Sequence, residues 1–578
     1  MLFKAALPFD QRHLRPGLTL PQFFLDNTHP LQPYRSDSKP WVIDSDTGRS
    51  YGLEEIRERV FGLANAFAAL YGISEIGIHS QNDIDFIVVL FAIHRLGAAA
   101  VCTNPMWTAS ELEHQYRQTK PVFIVTQTPF VEAARSAAAA LNLRLHDRIA
   151  IIVPPNAGLP NVPSVEELVQ RGLGDLNVDG PKFTERILNE NEAIEKVSIY
   201  FSSSGTSGPP KLVAVSHHGM TANILQIATA HKSNDLSIPW NDRRTRDGDV
   251  ASCLVPLFHV AGLLISVGYP AALSVVIHRQ YAFADYLTAI SKYHITHLYM
   301  VPPIAIDLIK RPETEKYDTS SIRFILMGAA PVSSTVETAM RKKFPAADIG
   351  QSYGLTETNS TVAMWPYSAR HNATLGSVGQ LLPGWEAKVV QNDPDSEQPA
   401  DASEVLLGLD EPGELVFRGP SIALRYEGNE KATRETFLPD NWVRTGDQAY
   451  INKKGDVFIV DRLKEFMKVK GDQVAPAELE GRLLGHPDVL DACVVGVPDE
   501  RSGELPFAFI ALQPAARRRL QVSPNEAAKI KRSVAKWVES HEAKYKWLAG
   551  GVGFIDQIPK NASGKILVSP QFSFTNVN

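Results

Sequence analysis

From about residue 50 to residue 350, short apolar runs rich in β-branched residues alternate with stretches of helical periodicity. This alternation restricts the fold more than any other feature, because apolar strands separated by helices assemble into parallel sheets covered on both faces. The runs at residues 75–79, 99–103, 122–126, 148–153, 197–201, 252–255, 274–278, 297–301, 323–327 and 347–351 read as strands. Phe283–Tyr293 reads as a helix, with Phe283, Leu287 and Ile290 on one face. Thr108 and Ser110 each precede a glutamate by three positions (Glu111, Glu113), a helix-start pattern. So many strands exceed a usual open sheet, and two layered α/β subdomains are expected.

After Gly376 the texture changes. Gly, Pro and Asp punctuate short alternating strands as far as about residue 460, which predicts a small antiparallel element. Beyond Arg462 comes a compact α+β pattern: a helix opening at Pro476, strands near 492–497 and 506–512, and a basic helix at about 524–542. The polar stretches 189–196, 232–248 and 391–403 read as exposed loops.

At 578 residues the chain has room for about three or four folding units. Lys and Arg number 58 against 64 Asp and Glu, a net charge of −6, so nothing marks a nucleic-acid binder. Cys102, Cys253 and Cys493 are far apart and odd in number. That excludes a disulfide framework and a Cys-based zinc cluster, and it points to a reducing, cytoplasmic setting. Residues 1–16 make a poor signal peptide, because Pro8 and Asp10 break a short apolar run. The uncharged stretch 260–277 barely reaches the length of a membrane span, and Gly268-Tyr269-Pro270 interrupts it. It reads as buried helix, turn and buried strand, so no membrane span is expected. The closing Thr-Asn-Val-Asn is not a Ser-Lys-Leu peroxisomal address.

Ser202-Ser203-Ser204-Gly205-Thr206-Ser207-Gly208-Pro209-Pro210-Lys211 follows a predicted strand and is expected to lead into a helix. Small residues let backbone N–H groups and hydroxyls approach phosphate oxygens, and Lys211 adds a charge. A Walker loop ends in Gly-Lys-Ser/Thr, whereas Pro210-Lys211-Leu212 stands here, which argues against an ordinary P-loop NTPase. Alone, this stretch reads equally well as a flexible turn. Gln351-Ser352-Tyr353-Gly354-Leu355-Thr356-Glu357 offers an aromatic face, a hydroxyl and a carboxylate at the C-terminal edge of a parallel sheet, where ligands bind. Trp442-Val443-Arg444-Thr445-Gly446-Asp447 places an acid in a turn, suited to ribose hydroxyls. Asp461-Arg462-Leu463-Lys464 then runs toward Lys468, and Pro559-Lys560-Asn561-Ala562-Ser563-Gly564-Lys565 lies near the C-terminus.

In this order the motifs resemble those of the acyl-adenylate-forming (AMP-binding) enzymes: acyl- and aryl-CoA ligases of the 4-coumarate–CoA ligase type, beetle luciferases and peptide-synthetase adenylation domains. The resemblance spans roughly residues 30–570. It implies a large N-terminal domain, 1–461, of two α/β subdomains and a small β-barrel. A small, mobile α+β C-terminal domain, 462–578, would follow a short hinge. It implies activation of a carboxylic acid with ATP and Mg²⁺. An acyl-adenylate and pyrophosphate form first, and a thiol, usually of coenzyme A, then displaces AMP.

Carried over position by position, the resemblance lays Ser203, Ser204, Gly205, Thr206, Ser207, Gly208 and Lys211 over the β- and γ-phosphates. Thr356 would bond the α-phosphate, and Glu357 and Thr206 would serve Mg²⁺. Asp447 would take the ribose hydroxyls, with Arg462 near ribose or phosphate. Tyr353 would stack on adenine in a slot lined by Ala329 and Ala330, with Gln351, Ser352 and Gly354 from the same segment. Lys565 would meet the carboxylate and α-phosphate during adenylation only, while Lys468 would serve thioester formation and Lys464 the hinge. His259 would stand beside the acyl pocket and thiol tunnel. Each has a plainer reading: a helix-start acid for Glu357, a turn former for Asp447, a core histidine for His259, surface charge for both lysines. For the basic helix with Lys529, Lys531, Arg532 and Lys536, a solvated face is the better reading.

Leu212 stands where the family often has glycine, and Ile566-Leu567-Val568 where basic residues are common. The second departure slightly weakens coenzyme A against a carrier-protein thiol as acceptor. A catalytically dead scaffold would be expected to have lost Lys211, Glu357, Asp447, Arg462 or Lys565. The acyl pocket is expected between residues 259–266, 328–330 and 352–354, without Lys or Arg to pair a second carboxylate. An aromatic or medium-to-long apolar monoacid therefore fits better than a diacid.

Overall fold

The structure is a computed structural model that describes residues 1–10, 17–26, 39–71, 74–141, 149–152, 159, 161–179, 183–203, 210–233, 235–264, 273–391, 405–470, 472–499, 501–523, 525–561 and 564–566. The alternating region folds into two large sheets. In the seven-stranded sheet, Val197–Ser203, Ala100–Thr103, Ile76–His79, Phe123–Gln127 and Ile149–Ile152 run parallel in that order. Lys211–Ser216 and Arg425–Tyr426 extend its first edge antiparallel. In the nine-stranded sheet, Asp348–Leu355, Phe324–Met327, His297–Met300, Val250–Cys253, Ser274–Ile277 and Val42–Asp44 are parallel. Every residue of the helix Ile84–Arg95 is buried. It packs between the sheets, and its long apolar run at residues 86–93 needs such a position, while Asp85 and Arg95 at its ends are held in ion pairs.

The strands lie where the apolar runs predict them, with small shifts. Residues 252–255 are replaced by Val250–Cys253, and the last run continues past 351 to Leu355. Thr108 forms a reciprocal cap with Glu111, whereas Ser110 lies inside the helix Ala109–Thr119 and starts nothing. The phosphate-loop motif leads into a strand, Lys211–Ser216, rather than a helix, because Leu212-Val213-Ala214-Val215 pairs back on Val197–Ser203.

Two expected loops need correction. Residues 189–196 hold a short helix, Glu190–Glu195, started by a reciprocal Asn189–Glu192 cap. In 232–248 the guanidinium of Arg244 is buried, 2.7 Å from Asp348 and bonded to the carbonyls of Trp365 and Pro366. The loop at 391–403 lies outside the described residues except for Gln391.

Beyond Gly376 an antiparallel sheet forms from Leu2–Lys4, Glu386–Val390, Gly413–Arg418, Trp442–Ile451 and Phe437–Leu438, with Val457–Arg462 on the second half of Trp442–Ile451. The expected small barrel is therefore an open sheet: among the described residues no pairing closes it. Closure needs two edges with matched stagger, and the ends here are strands of three and two residues.

The last sheet contains Asp472–Val474, Met467–Val469, Gly503–Leu512, Val489–Asp499 and Gly551–Phe554. The helices Pro476–Leu483 and Glu526–Glu539 bury Leu479, Leu483, Ile530, Val534 and Val538 in its core. Among the described residues no helix is long and apolar enough to cross a membrane.

Candidate adenylate site

The nine-stranded sheet ends where the antiparallel sheet begins, and the motif residues gather at that junction. Asp348–Leu355 is parallel to Phe324–Met327 as far as Gln351, then becomes antiparallel to Ser360–Met364. This continuation carries Tyr353 past the sheet edge, and its hydroxyl donates to Oδ2 of Asp447. Asp447 lies not in a turn but inside the strand Trp442–Ile451, directly opposite Arg462. Nε of Arg462 stands 2.8 Å from Oδ1 of Asp447, and its Nη1 donates to the carbonyl of Thr445. The Asp447 side chain is only 3% exposed. Burial raises its pKa above the usual carboxylate range, opposed by the Arg462 charge and the Tyr353 hydroxyl.

A second cluster lies along the phosphate-loop hairpin. Ser203 and Lys211 face each other across it. Ser204, Gly205, Thr206, Ser207 and Gly208 lie outside the described residues. The ammonium of Lys211 is 4.6 Å from the centre of the Tyr426 ring. Tyr426 in turn donates its hydroxyl to Oε1 of Glu357 at 2.5 Å. Thr356 and Glu357 open the short helical turn Thr356–Thr358. Glu357 is therefore held next to Lys211 through the Tyr426 side chain. Among the described residues no three His, Cys, Asp or Glu stand together as a metal cluster. One carboxylate fits Mg²⁺, a hard ion that takes most of its other ligands from phosphates and water.

Lys565 enters from the last unit. It sits on a tight loop closed by pairing of Lys560 with Ile566 and by the Asn561 amide bonding its carbonyl at 2.9 Å. Gly564, at φ +78°, lies so near Val301 that a Cβ would come within 2.9 Å of that side chain. Lys565 is 22% exposed and lies 3.4 Å from Glu465. Burial lowers its pKa, with Glu465 opposing and Arg462 assisting the fall. A cleft of 1010 Å³ here brings Lys565 and Glu465 together with Ala330 and Ser333.

The AMP-binding enzyme family matches residues 32–427, and the family's C-terminal domain matches residues 478–565. The chain belongs to the AMP-binding enzyme family. It is 33% identical over 548 residues to a 4-coumarate–CoA ligase-like protein of Arabidopsis thaliana, covering 93% of this chain and 90% of that one. It is 32% identical over 569 residues to the acyl-CoA ligase gloD of Glarea lozoyensis, covering 94% of each. Its fold matches the crystal structure of the anthranilate CoA ligase AuaEII in complex with anthranoyl-AMP, with a TM-score of 0.78, 22% identity and 97% of each chain covered. As a member of this ligase family the chain is an enzyme.

In this AMP-binding enzyme, then, the structure joins Tyr353, Asp447, Arg462 and Lys565 at one junction and Lys211 and Glu357 at the neighbouring one. Ala329 is in the left-handed region, φ +66°, at the end of Phe324–Met327, a strained position typical of site walls. Ser352 lies against the preceding residue: a Cβ on Gly328 would come within 3.0 Å of the Ser352 hydroxyl. Gln351 turns away, its amide donating to Glu337 at 2.8 Å and supporting the wall from behind. His259 precedes the short helix Val260–Leu263 with its ring 5.3 Å from Phe258, and burial lowers its pKa to about 4.

Lys464 is exposed and lines the cleft edge. Lys468 is exposed between the buried Met467 and Val469, on the face turned away from the core, and does not join the cluster. Sequence reasoning missed Tyr426 and Glu465. Tyr426 has only its place beside Arg425 in a short polar strand, and Glu465 reads as surface charge until the fold brings Lys565 to it.

Proposed function

We propose that this enzyme activates a carboxylic acid with ATP to an acyl-adenylate and then transfers the acyl group to the thiol of coenzyme A. The observation that carries this reading is the convergence of Lys565 with Asp447 and Arg462 beside the Glu357–Tyr426–Lys211 cluster. Two neighbouring clusters thereby offer a cation for the reacting groups, an acid for a sugar diol and a charged phosphate cradle. In the first step a carboxylate oxygen attacks the α-phosphorus, the bond to the bridging oxygen breaks, and pyrophosphate leaves. Neutralising charge on the reacting oxygens and holding them in line accounts for most of such catalysis. Lys565 supplies that charge to the carboxylate and α-phosphate, Thr356 bonds the α-phosphate, and Asp447 fixes the ribose. Glu357, with Thr206, would hold Mg²⁺, which offsets charge on the phosphate oxygens. In the second step the coenzyme A sulfur attacks the acyl carbon and AMP leaves.

The units 1–461 and 462–578 act as two bodies about a hinge near Lys464, with Lys565 serving the first step and Lys468 the second. Lys468 facing away from the cluster in this arrangement supports that division. The acid is an aromatic or medium-to-long apolar monoacid, supported by the absence of Lys and Arg from the sequence at residues 259–266, 328–330 and 352–354. Cys102, Cys253 and Cys493, all buried and in no disulfide, support a cytoplasmic setting. Coenzyme A rather than a carrier-protein thiol as acceptor is supported by the CoA-ligase relatives.

Pyrophosphate release from ATP with a panel of acids tests the first step, and thioester formation with coenzyme A or a phosphopantetheinyl carrier tests the second. Glu357→Ala should lower adenylation about 10²–10³-fold, the usual effect of removing one preorganised charge stabiliser. Near-wild-type adenylation in that variant would remove Glu357 from the metal site.

A further inference from the structure

Lys565 lies in the field of Asp447, a residue of the large unit, only while the last unit is docked as it is here, so the contacts that dock it matter to the chemistry. Pro302–Lys310 is the helix that follows the strand His297–Met300, and its first turn begins beside Val301, the residue that Gly564 touches. At the other end of that helix, Lys310 extends into the last unit. Its ammonium donates to the carbonyl of Leu484 at 3.1 Å and to the carbonyl of Val489 at 2.6 Å.

Leu484 is the residue that ends the helix Pro476–Leu483. Its carbonyl is one of those without a partner inside the helix, and it sits at the negative end of the helix dipole. A lysine from the large unit thus caps a helix of the small one. Burial lowers the Lys310 pKa to about 8, opposed by the field of Asp491. The same helix approaches the large unit at Gly481, where a Cβ would come within 2.8 Å of Ser333.

We propose that Lys310 is a positioning residue for adenylation: it docks the C-terminal unit in the orientation that presents Lys565. This rests on the two-step reading above. A lysine suits a contact that must be made and released. Its ammonium and the two carbonyls are readily hydrated once apart, so undocking strands no unpaired polar group in an apolar surface. An apolar plug in the same place would expose its own surface at every undocking.

The test uses the full chain. Cys102, Cys253 and Cys493 are buried. Spin labels can therefore be carried by Lys316→Cys in the large unit and Val522→Cys in the small one, both exposed positions. The distance distribution between them is measured without substrate for the otherwise wild-type chain, Lys310→Met and Lys310→Arg. Lys310→Met should broaden the distribution or add a second distance, and Lys310→Arg should restore most of the original one.

In single-turnover kinetics Lys310→Met should lower acyl-adenylate formation about tenfold or more, the range expected for losing charged hydrogen bonds. Conversion of supplied acyl-adenylate to thioester should stay within about twofold, since docking governs the first step. An unchanged distance distribution overturns the proposal, and so does equal loss of both half-reactions. If the unmodified chain formed no adenylate with any acid, the two-step reading would fail. The substrate-free distances would still decide whether Lys310 docks the unit.

Discussion

The hydroxyl of Tyr426 donates to Oε1 of Glu357 at 2.5 Å, and the same ring carries Lys211 over its face at 4.6 Å. One aromatic residue thereby fixes both the carboxylate and the ammonium to which the proposed function gives the phosphates and their metal. A hydrogen bond to a carboxylate orients it before any ligand arrives, and cation–π contact restrains a long, flexible lysine.

Tyr426→Phe keeps the ring and removes the hydroxyl. The Mg²⁺ concentration for half-maximal adenylation should rise about tenfold, in line with a charged hydrogen bond. The KM for ATP measured at saturating Mg²⁺ should move less. A Mg²⁺ titration at fixed ATP reads both, and an unchanged Mg²⁺ requirement would leave Tyr426 a packing residue.

Asp447→Asn keeps the shape of the side chain and removes its charge. ATP affinity should fall about tenfold or more, the range for charge-assisted bonds. Relative rates across a set of acids should be unchanged. Altered acid preference with intact ATP affinity would mean that the ribose lies elsewhere.

The two lysines should separate the half-reactions. Lys565→Ala should cripple acyl-adenylate formation yet still convert supplied acyl-adenylate to thioester, and Lys468→Ala should do the reverse more weakly. Rapid-quench kinetics of each step decide this. Equal loss of both steps in Lys565→Ala would make Lys565 a general phosphate or structural contact.

Acid should destabilise the fold through its imidazoles. Burial lowers His79, His94, His278 and His297 to about 4, and it drives His217 and His231 well below their usual value. Below the unfolded pKa of about 6.5 the unfolded chain binds protons that the folded chain excludes, so stability falls as pH drops toward about 4. Asp83 and Asp461, raised to about 6, and Glu480, raised to about 8, act in the opposite sense over part of that range. The imidazoles outnumber them. Urea midpoints should therefore fall between pH 7 and pH 5, and a rising midpoint would show the carboxyls dominating.

The parts legible in the sequence are those with a local signal. Apolar runs marked the strands of both large sheets, because a strand buried on both faces must be apolar along its length. The motif order placed Tyr353, Asp447, Arg462 and Lys565 in one site. What stayed hidden depends on contacts distant in sequence. Arg244 read as loop charge because Asp348, its partner, is 104 residues away. The open edge of the antiparallel sheet depends on strand lengths that periodicity blurs. Asp447 read as a turn residue because Gly446 precedes it, yet a glycine at φ +69° is accommodated within the strand. Tyr426 and Lys310 carry no motif, and each acquires a role only through a partner brought to it by the fold.

The most direct measurement is pyrophosphate release from ATP and Mg²⁺ with a panel of aromatic and aliphatic acids, followed by addition of coenzyme A. The expected result is acid-dependent pyrophosphate and AMP with one class of apolar monoacid, an acyl-adenylate that accumulates without thiol, and its conversion to an acyl-CoA when coenzyme A is added. Pyrophosphate release independent of any acid, or an adenylate that coenzyme A never discharges, would contradict it.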